Sequence, residues 1–171
     1  AVDPAGFRIP VPDAVPHRFT GGVCALRMVT LDPFSLPVLG GGAIVVLLAC
    51  SAFFSSSEIA IFSVERYRVG VLAEGGGNGA VLEALRSDPH RLLVTILVGN
   101  NIVNIAMSSV ATAILVAALP AGVAVTVSTV LLTVVVLVFG EIVPKSYGVA
   151  NAESWALQTA PTVRRFQRLA G

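Results

Sequence analysis

The chain has 171 residues, 55% of them hydrophobic and 12% charged, about half the charged fraction of an ordinary soluble domain. Eleven basic and ten acidic residues leave a net charge of +1, too little positive field for nucleic-acid binding. Composition alone therefore argues against a soluble enzyme and for a chain that lives in lipid.

Residues 1–32 form an N-terminal extension rich in Pro and Gly with scattered Arg and Asp; the first methionine is Met28. The extension reads as extracytoplasmic or as an added segment, and residues 1–27 lack the apolar core of a cleaved signal peptide. The 25 residues from Pro33 to Ser57 carry no charge, and the spacing predicts a first transmembrane helix over about 37–62. Residues 64–91 alternate charges with Val69, Leu72, Val81, Leu82 and Leu85, a pattern for short juxtamembrane helices joined by a flexible Gly75–Gly79 turn. Between Arg91 and Glu141 lie 49 residues without Asp, Glu, Lys, Arg or His, roughly 70 Å of helix, more than two crossings of a hydrocarbon core about 30 Å thick. Leu119, Pro120, Ala121 and Gly122 divide that run into helices over about 92–119 and 123–147, because Pro and Gly close together break helices.

The expected fold is thus an all-α membrane protein with a 33–149 transmembrane domain. Arg66, Arg68, Arg86 and Arg91 in the first connection, and Lys145, Arg164, Arg165 and Arg168 after the third span, place both segments in the cytoplasm and the N-terminus outside. Residues 150–171 set Trp155, Leu157, Val163, Phe166 and Leu169 among polar and basic residues. They read as an amphipathic helix at the membrane interface or as a linker to a further domain.

Three polar clusters interrupt the apolar spans, where polar groups are expensive and mark pathways or binding sites. In Ser55-Ser56-Ser57-Glu58, Ser55 and Glu58 share a helix face; the alternative for Glu58 is a helix end reaching water. In Gly99-Asn100-Asn101-Ile102-Val103-Asn104, Asn100 and Asn104 share a face, Asn101 points elsewhere, and Gly99 permits close backbone approach. Stacked amide oxygens suit a cation; the alternative is helix–helix glue. In Gly140-Glu141-Ile142-Val143-Pro144-Lys145, Pro144 has no N–H for the Gly140 carbonyl, which leaves a free oxygen beside a carboxylate. The alternative there is a Pro-terminated helix with Glu141 paired to Lys145. Hydroxyl, amide, carboxylate and main-chain oxygens with no intramembrane His select Mg2+ or Ca2+ over Zn2+ or Cu2+. Binding is the implied chemistry, not catalysis. His17 and His90 lie outside the spans, so no catalytic triad can be assembled, and no phosphate-binding loop is present.

Together, Phe54-Ser55-Ser56-Ser57-Glu58-Ile59-Ala60, Val98-Gly99-Asn100-Asn101-Ile102-Val103-Asn104 and Phe139-Gly140-Glu141-Ile142-Val143-Pro144-Lys145 strongly resemble the transmembrane domain of the CNNM/CorC (cyclin M) magnesium transporters. The likeness covers roughly Leu36 to Leu169. It implies a homodimer in the plasma membrane, each protomer with three spans and a cytoplasmic juxtamembrane belt, and cytoplasmic CBS domains after the present chain. It implies Mg2+ ligands at Ser55, Asn100, Asn104 and Glu141, with main-chain oxygens near Gly99 and Gly140, supported by Glu58, Asn101, Pro144 and Lys145. The function implied is Mg2+ transport, export coupled to Na+ entry; the rivals are a non-transporting Mg2+ sensor or scaffold and, more remotely, an intramembrane enzyme.

Overall fold

A computed structural model describes residues 35–170; the N-terminal extension read from the sequence lies outside the described residues. Among these there are no strands. Three stretches are long and apolar enough to cross a bilayer: Pro37–Ser63, Pro89–Val116 and Ala121–Ala150. The first lies in α1 (Ser35–Ser63). Two short helices follow, α2 (Arg66–Glu74) and α3 (Asn78–Arg86), and the second span is α4 (Pro89–Val116). The third span is composite: α5 (Ala121–Val135), a π-helical segment Val136–Ile142, and α6 (Val143–Ala150); α7 (Ala152–Ala170) follows.

Local chemistry sets the boundaries. Pro89 stands in the first turn of α4, and the Asp88 carboxylate accepts the Arg91 N–H at 3.0 Å, a capped start a few residues before the first apolar side chain of the span. α4 ends at Val116, three residues short of the sequence expectation of Leu119. The Ala118 and Leu119 N–H groups both bond the Leu115 carbonyl, at 3.0 and 2.8 Å, and the residue before Pro120 is driven out of helical geometry. Pro120 then opens α5, its carbonyl accepting the Ala124 N–H at 2.9 Å. The reversal makes α4 and α5 antiparallel neighbours, joined also by a Thr112–Ser128 hydroxyl contact of 3.1 Å. α1 packs along α4 on one side and along the π-helical segment and α6 on another.

Two apolar cores hold the bundle. The first gathers Val103, Met107, Ala111 and Leu132 from α4 and α5, with Leu47 and Leu48 of α1 against them. The second gathers Ala60, Ile61 and Val64 at the end of α1 with Leu82 and Leu85 of α3, Leu92 and Ile96 of α4, and Ala156, Ala160 and Val163 of α7. α7 therefore packs closely under the spans and does not lie loose on the membrane surface. Small Ala156 and Ala160 allow that approach, and the Trp155 indole N–H donates to Ser56 Oγ at 3.0 Å. Large apolar side chains such as Val45, Ile105 and Val130 face outward, as lipid requires and water forbids.

The α2–α3 turn falls between Glu74 and Asn78, on the glycines named from the sequence. Gly76 and Gly77 adopt φ of 71° and 58°, a region other residues resist, and Gly79 lies so close to the Leu72 carbonyl that no side chain fits there.

Candidate metal centre

Ser51 is fully buried on α1, and its hydroxyl donates toward two amide oxygens of α4: Asn100 Oδ1 at 2.9 Å and Asn104 Oδ1 at 3.2 Å. The i,i+4 spacing of the two asparagines stacks them on one face, and a single hydroxyl bridges both. The third wall comes from the π-helical segment. A Cβ built on Gly140 would stand 3.1 Å from Ser51 Oγ, so the absence of a side chain at 140 lets this backbone reach the cluster. Asn101 is exposed on another face of α4.

Glu141 follows Gly140 within the π-helical segment and is half-buried. The third span keeps its direction there but changes its bonding. Val143 N–H bonds Val138 O, five residues back, and the return to four-residue bonding in α6 skips a carbonyl. Pro144, in the first turn of α6, supplies no N–H for another. Across Phe139–Glu141 the main chain therefore offers fewer N–H donors than carbonyls. Lys145 does not pair with Glu141: among the described residues the one ion pair is Arg68–Glu153, at 2.8 Å and far from this centre in the chain.

The serine cluster separates into distinct environments. Ser55, the residue singled out from the motif, lies one turn along α1 from Ser51 and is 2% exposed, yet its Oγ has no hydrogen-bond partner. Ser57 Oγ is buried and unpartnered as well. Ser56 instead donates to the Ala52 carbonyl at 2.7 Å while accepting from Trp155. An orphaned buried hydroxyl costs about 1–3 kcal/mol, and Ser55 shares the face that carries Ser51. Glu58, one turn farther still, is half-buried. Gly99 serves packing: a Cβ there would fall 2.9 Å from both Phe54 Cζ and Phe166 Cε1, rings that themselves meet at a tilt of 58° with centroids 5.1 Å apart.

Ser51 is the residue that motif reading passed over. Its signal was present in the sequence, a hydroxyl inside the Ala49-Cys50-Ser51-Ala52 apolar run and four residues before Ser55. No three His, Cys, Asp or Glu side chains cluster among the described residues. The donors converging here are a hydroxyl and two amides, with a carboxylate and main-chain carbonyls on the adjacent turn, all hard oxygens.

The family model described as "Cyclin M transmembrane N-terminal domain" matches residues 42–171. A UPF0053 protein of Haemophilus influenzae is 44% identical over 112 residues, 64% of this chain and 26% of the relative. The UPF0053 inner membrane protein YfjD of Escherichia coli is 39% identical over 107 residues, 62% of this chain and 25% of YfjD. A DUF21 domain-containing chloroplastic protein of Arabidopsis thaliana, At1g55930, is 41% identical over 117 residues, 68% of this chain and 18% of its own length. The chain thus spans about a quarter or less of these relatives. With a matching domain model over most of its length and three apolar spans in the expected order, the chain is a multi-pass membrane protein of the cyclin M (CNNM) transmembrane-domain family.

Proposed function

We propose that this domain transports Mg2+ across the cell membrane, exporting it against Na+ entry, through a dehydrated site of Ser, Asn and Glu oxygens. The observation that carries the reading is the Ser51–Asn100–Asn104 cluster. Mg2+ takes oxygen ligands at about 2.0–2.1 Å in an octahedron, which sets neighbouring ligand oxygens about 3 Å apart. The Ser51 Oγ separations of 2.9 and 3.2 Å from the two amide oxygens already have that spacing. These groups satisfy one another by sharing the serine proton. An arriving cation takes the proton's place as the bridge, and the O–H turns outward.

A divalent ion at membrane depth needs compensating negative charge, because burying even a singly charged ion costs several kcal/mol. Glu141 supplies it, the freed carbonyls of its turn complete the shell, and Ser55 offers a further oxygen one turn away. No bond is made or broken in the protein. The work is the exchange of a water shell for a protein shell, driven by an opposing ion gradient. The family resemblance extends the proposal to a homodimer with a cytoplasmic belt and C-terminus, an outside N-terminus, and CBS domains in the full-length protein.

The test is Mg2+ flux in proteoliposomes with and without an opposing Na+ gradient, for wild type beside Glu141→Ala and Asn104→Ala. Na+-dependent flux that each substitution lowers at least about tenfold, the scale on which even a partner that only orients a metal ligand acts, supports the proposal. Near-normal flux in either variant defeats the ligand assignment. Mg2+ binding without flux makes the domain a sensor or scaffold.

A further inference from the structure

The belt carries a second polar feature, remote from the intramembrane cluster. A groove of about 370 Å3 opens between α2, α3 and the start of α4, lined by Arg66, Glu83, Arg86, Ser87 and Pro89. Arg86 uses one nitrogen, Nη1, to cap the end of α1, donating to the Ile61 and Val64 carbonyls. A guanidinium has five N–H donors, so those on Nη2 and Nε remain to be used. Burial and the nearby Arg66 charge both disfavour its cationic form. Glu83 lines the same groove without forming an ion pair, since the one ion pair among the described residues is Arg68–Glu153. Two guanidiniums less one carboxylate leave one positive charge.

The groove's level in the molecule selects the ligand. α1 leaves the apolar zone at Ser63 and α4 enters it at Pro89, so the groove stands where lipid phosphates stand. Pro89, on its wall, begins a helix face that continues as Leu93 and Leu97 at i,i+4 spacing. Those two side chains are 42% and 60% exposed, a strip on which an acyl chain can lie above a phosphate held below. We infer that this groove binds the phosphodiester of an anionic phospholipid, whose single negative charge matches the groove and whose tail follows the Leu93–Leu97 strip.

Lipid retention by the purified chain, read by native mass spectrometry from mixed phosphatidylglycerol and phosphatidylcholine nanodiscs, tests the inference without reference to transport. Arg66 is exposed and caps nothing, so Arg66→Ala leaves the fold intact. Wild type should retain phosphatidylglycerol selectively, and Arg66→Ala should weaken that retention about tenfold, as loss of one charge-assisted contact implies. Arg165→Ala removes an equal, exposed charge from α7 and should change nothing. Equal loss in both variants would reduce the effect to diffuse attraction and overturn the site. Displacement of the lipid by millimolar inorganic phosphate would make the groove a soluble-anion site, and absence of any phosphatidylglycerol preference would also overturn the proposal.

Discussion

Ser51 bonds both amide oxygens at once, so its removal leaves Asn100 and Asn104 without the group that spaces them. Ser51→Ala should therefore lower Mg2+ flux at least about tenfold, the scale of misplacing metal ligands, while circular dichroism stays helical. Gly140→Ala tests the same cluster from the opposite wall. The new methyl would press on Ser51 Oγ from 3.1 Å, so flux should fall with little loss of thermal stability. Gly148→Ala is the contrasting case: its methyl would lie 2.5 Å from the Ser56 backbone oxygen, which cannot swing aside. Overpacking of that kind costs about 1–3 kcal/mol or more, and a lowered midpoint in a detergent thermal melt should report it. The stacked asparagines were legible from their spacing because helix geometry alone puts i and i+4 together. Which serine meets them was not. Ser51 and Ser55 occupy the same face one turn apart, and the choice rests on how far α1 slides along α4, a matter of tertiary packing.

At the level of elements, Arg86 joins α3 to the last turn of α1 by two charged hydrogen bonds and lies 5.9 Å from the centre of the Phe62 ring. A helix end left with unpaired carbonyls is costly. Arg86→Ala should destabilise the protein by about 1.5–3 kcal/mol, the range for a hydrogen bond to a charged group, and Arg86→Lys should rescue only part, since an ammonium lacks the fork. The Arg68–Glu153 pair tying α2 to α7 differs in kind because it is exposed. Its bond to Arg68 holds the Glu153 carboxyl below its ordinary 4.5. A lowered carboxylate stabilises the folded form above that ordinary value and loses the contribution as pH falls through the lower folded one. Acidification below about 4.5, or raised salt, should loosen α7, and hydrogen exchange of its first turns would record the change; at neutral pH Arg68→Ala should scarcely move the melt. The three spans and the amphipathic belt could be read from uncharged runs and apolar spacing. The π-helical stretch could not, because Pro144 announces a defect but not the number of residues over which the ladder stays shifted.

For the whole molecule, the arrangement predicts what lipid covers. Cys50 projects outward from α1 within the first span. In a Cys24→Ser background, a membrane-impermeant maleimide should leave Cys50 unlabelled in intact vesicles and modify it once the protein is unfolded in denaturant. Labelling at equal rates in both conditions would place that face of α1 in water. The docking of α7 into the second core was less legible than the spans, since its stripe of Ala156, Ala160 and Val163 is small and mixed with polar residues, and only the neighbours it meets make it buried. The π-helical segment has a consequence for the third span as a whole. That span must satisfy two neighbours at different angles, Ser128 and Leu132 turned toward α4 and Gly148 seated on the Ser56 backbone of α1. A regular helix advances about 100° per residue, so the wider turns act as a phase corrector between the two halves. Deleting one residue from Val136–Phe139 would remove the one-residue excess that the wide turns absorb, so the span would wind evenly with both halves still facing their partners. The shortened span should be more regular as a helix and poorer as a wall for the oxygen cluster, because one fewer carbonyl is left over in its ladder, a variant in which order is gained at the expense of a ligand.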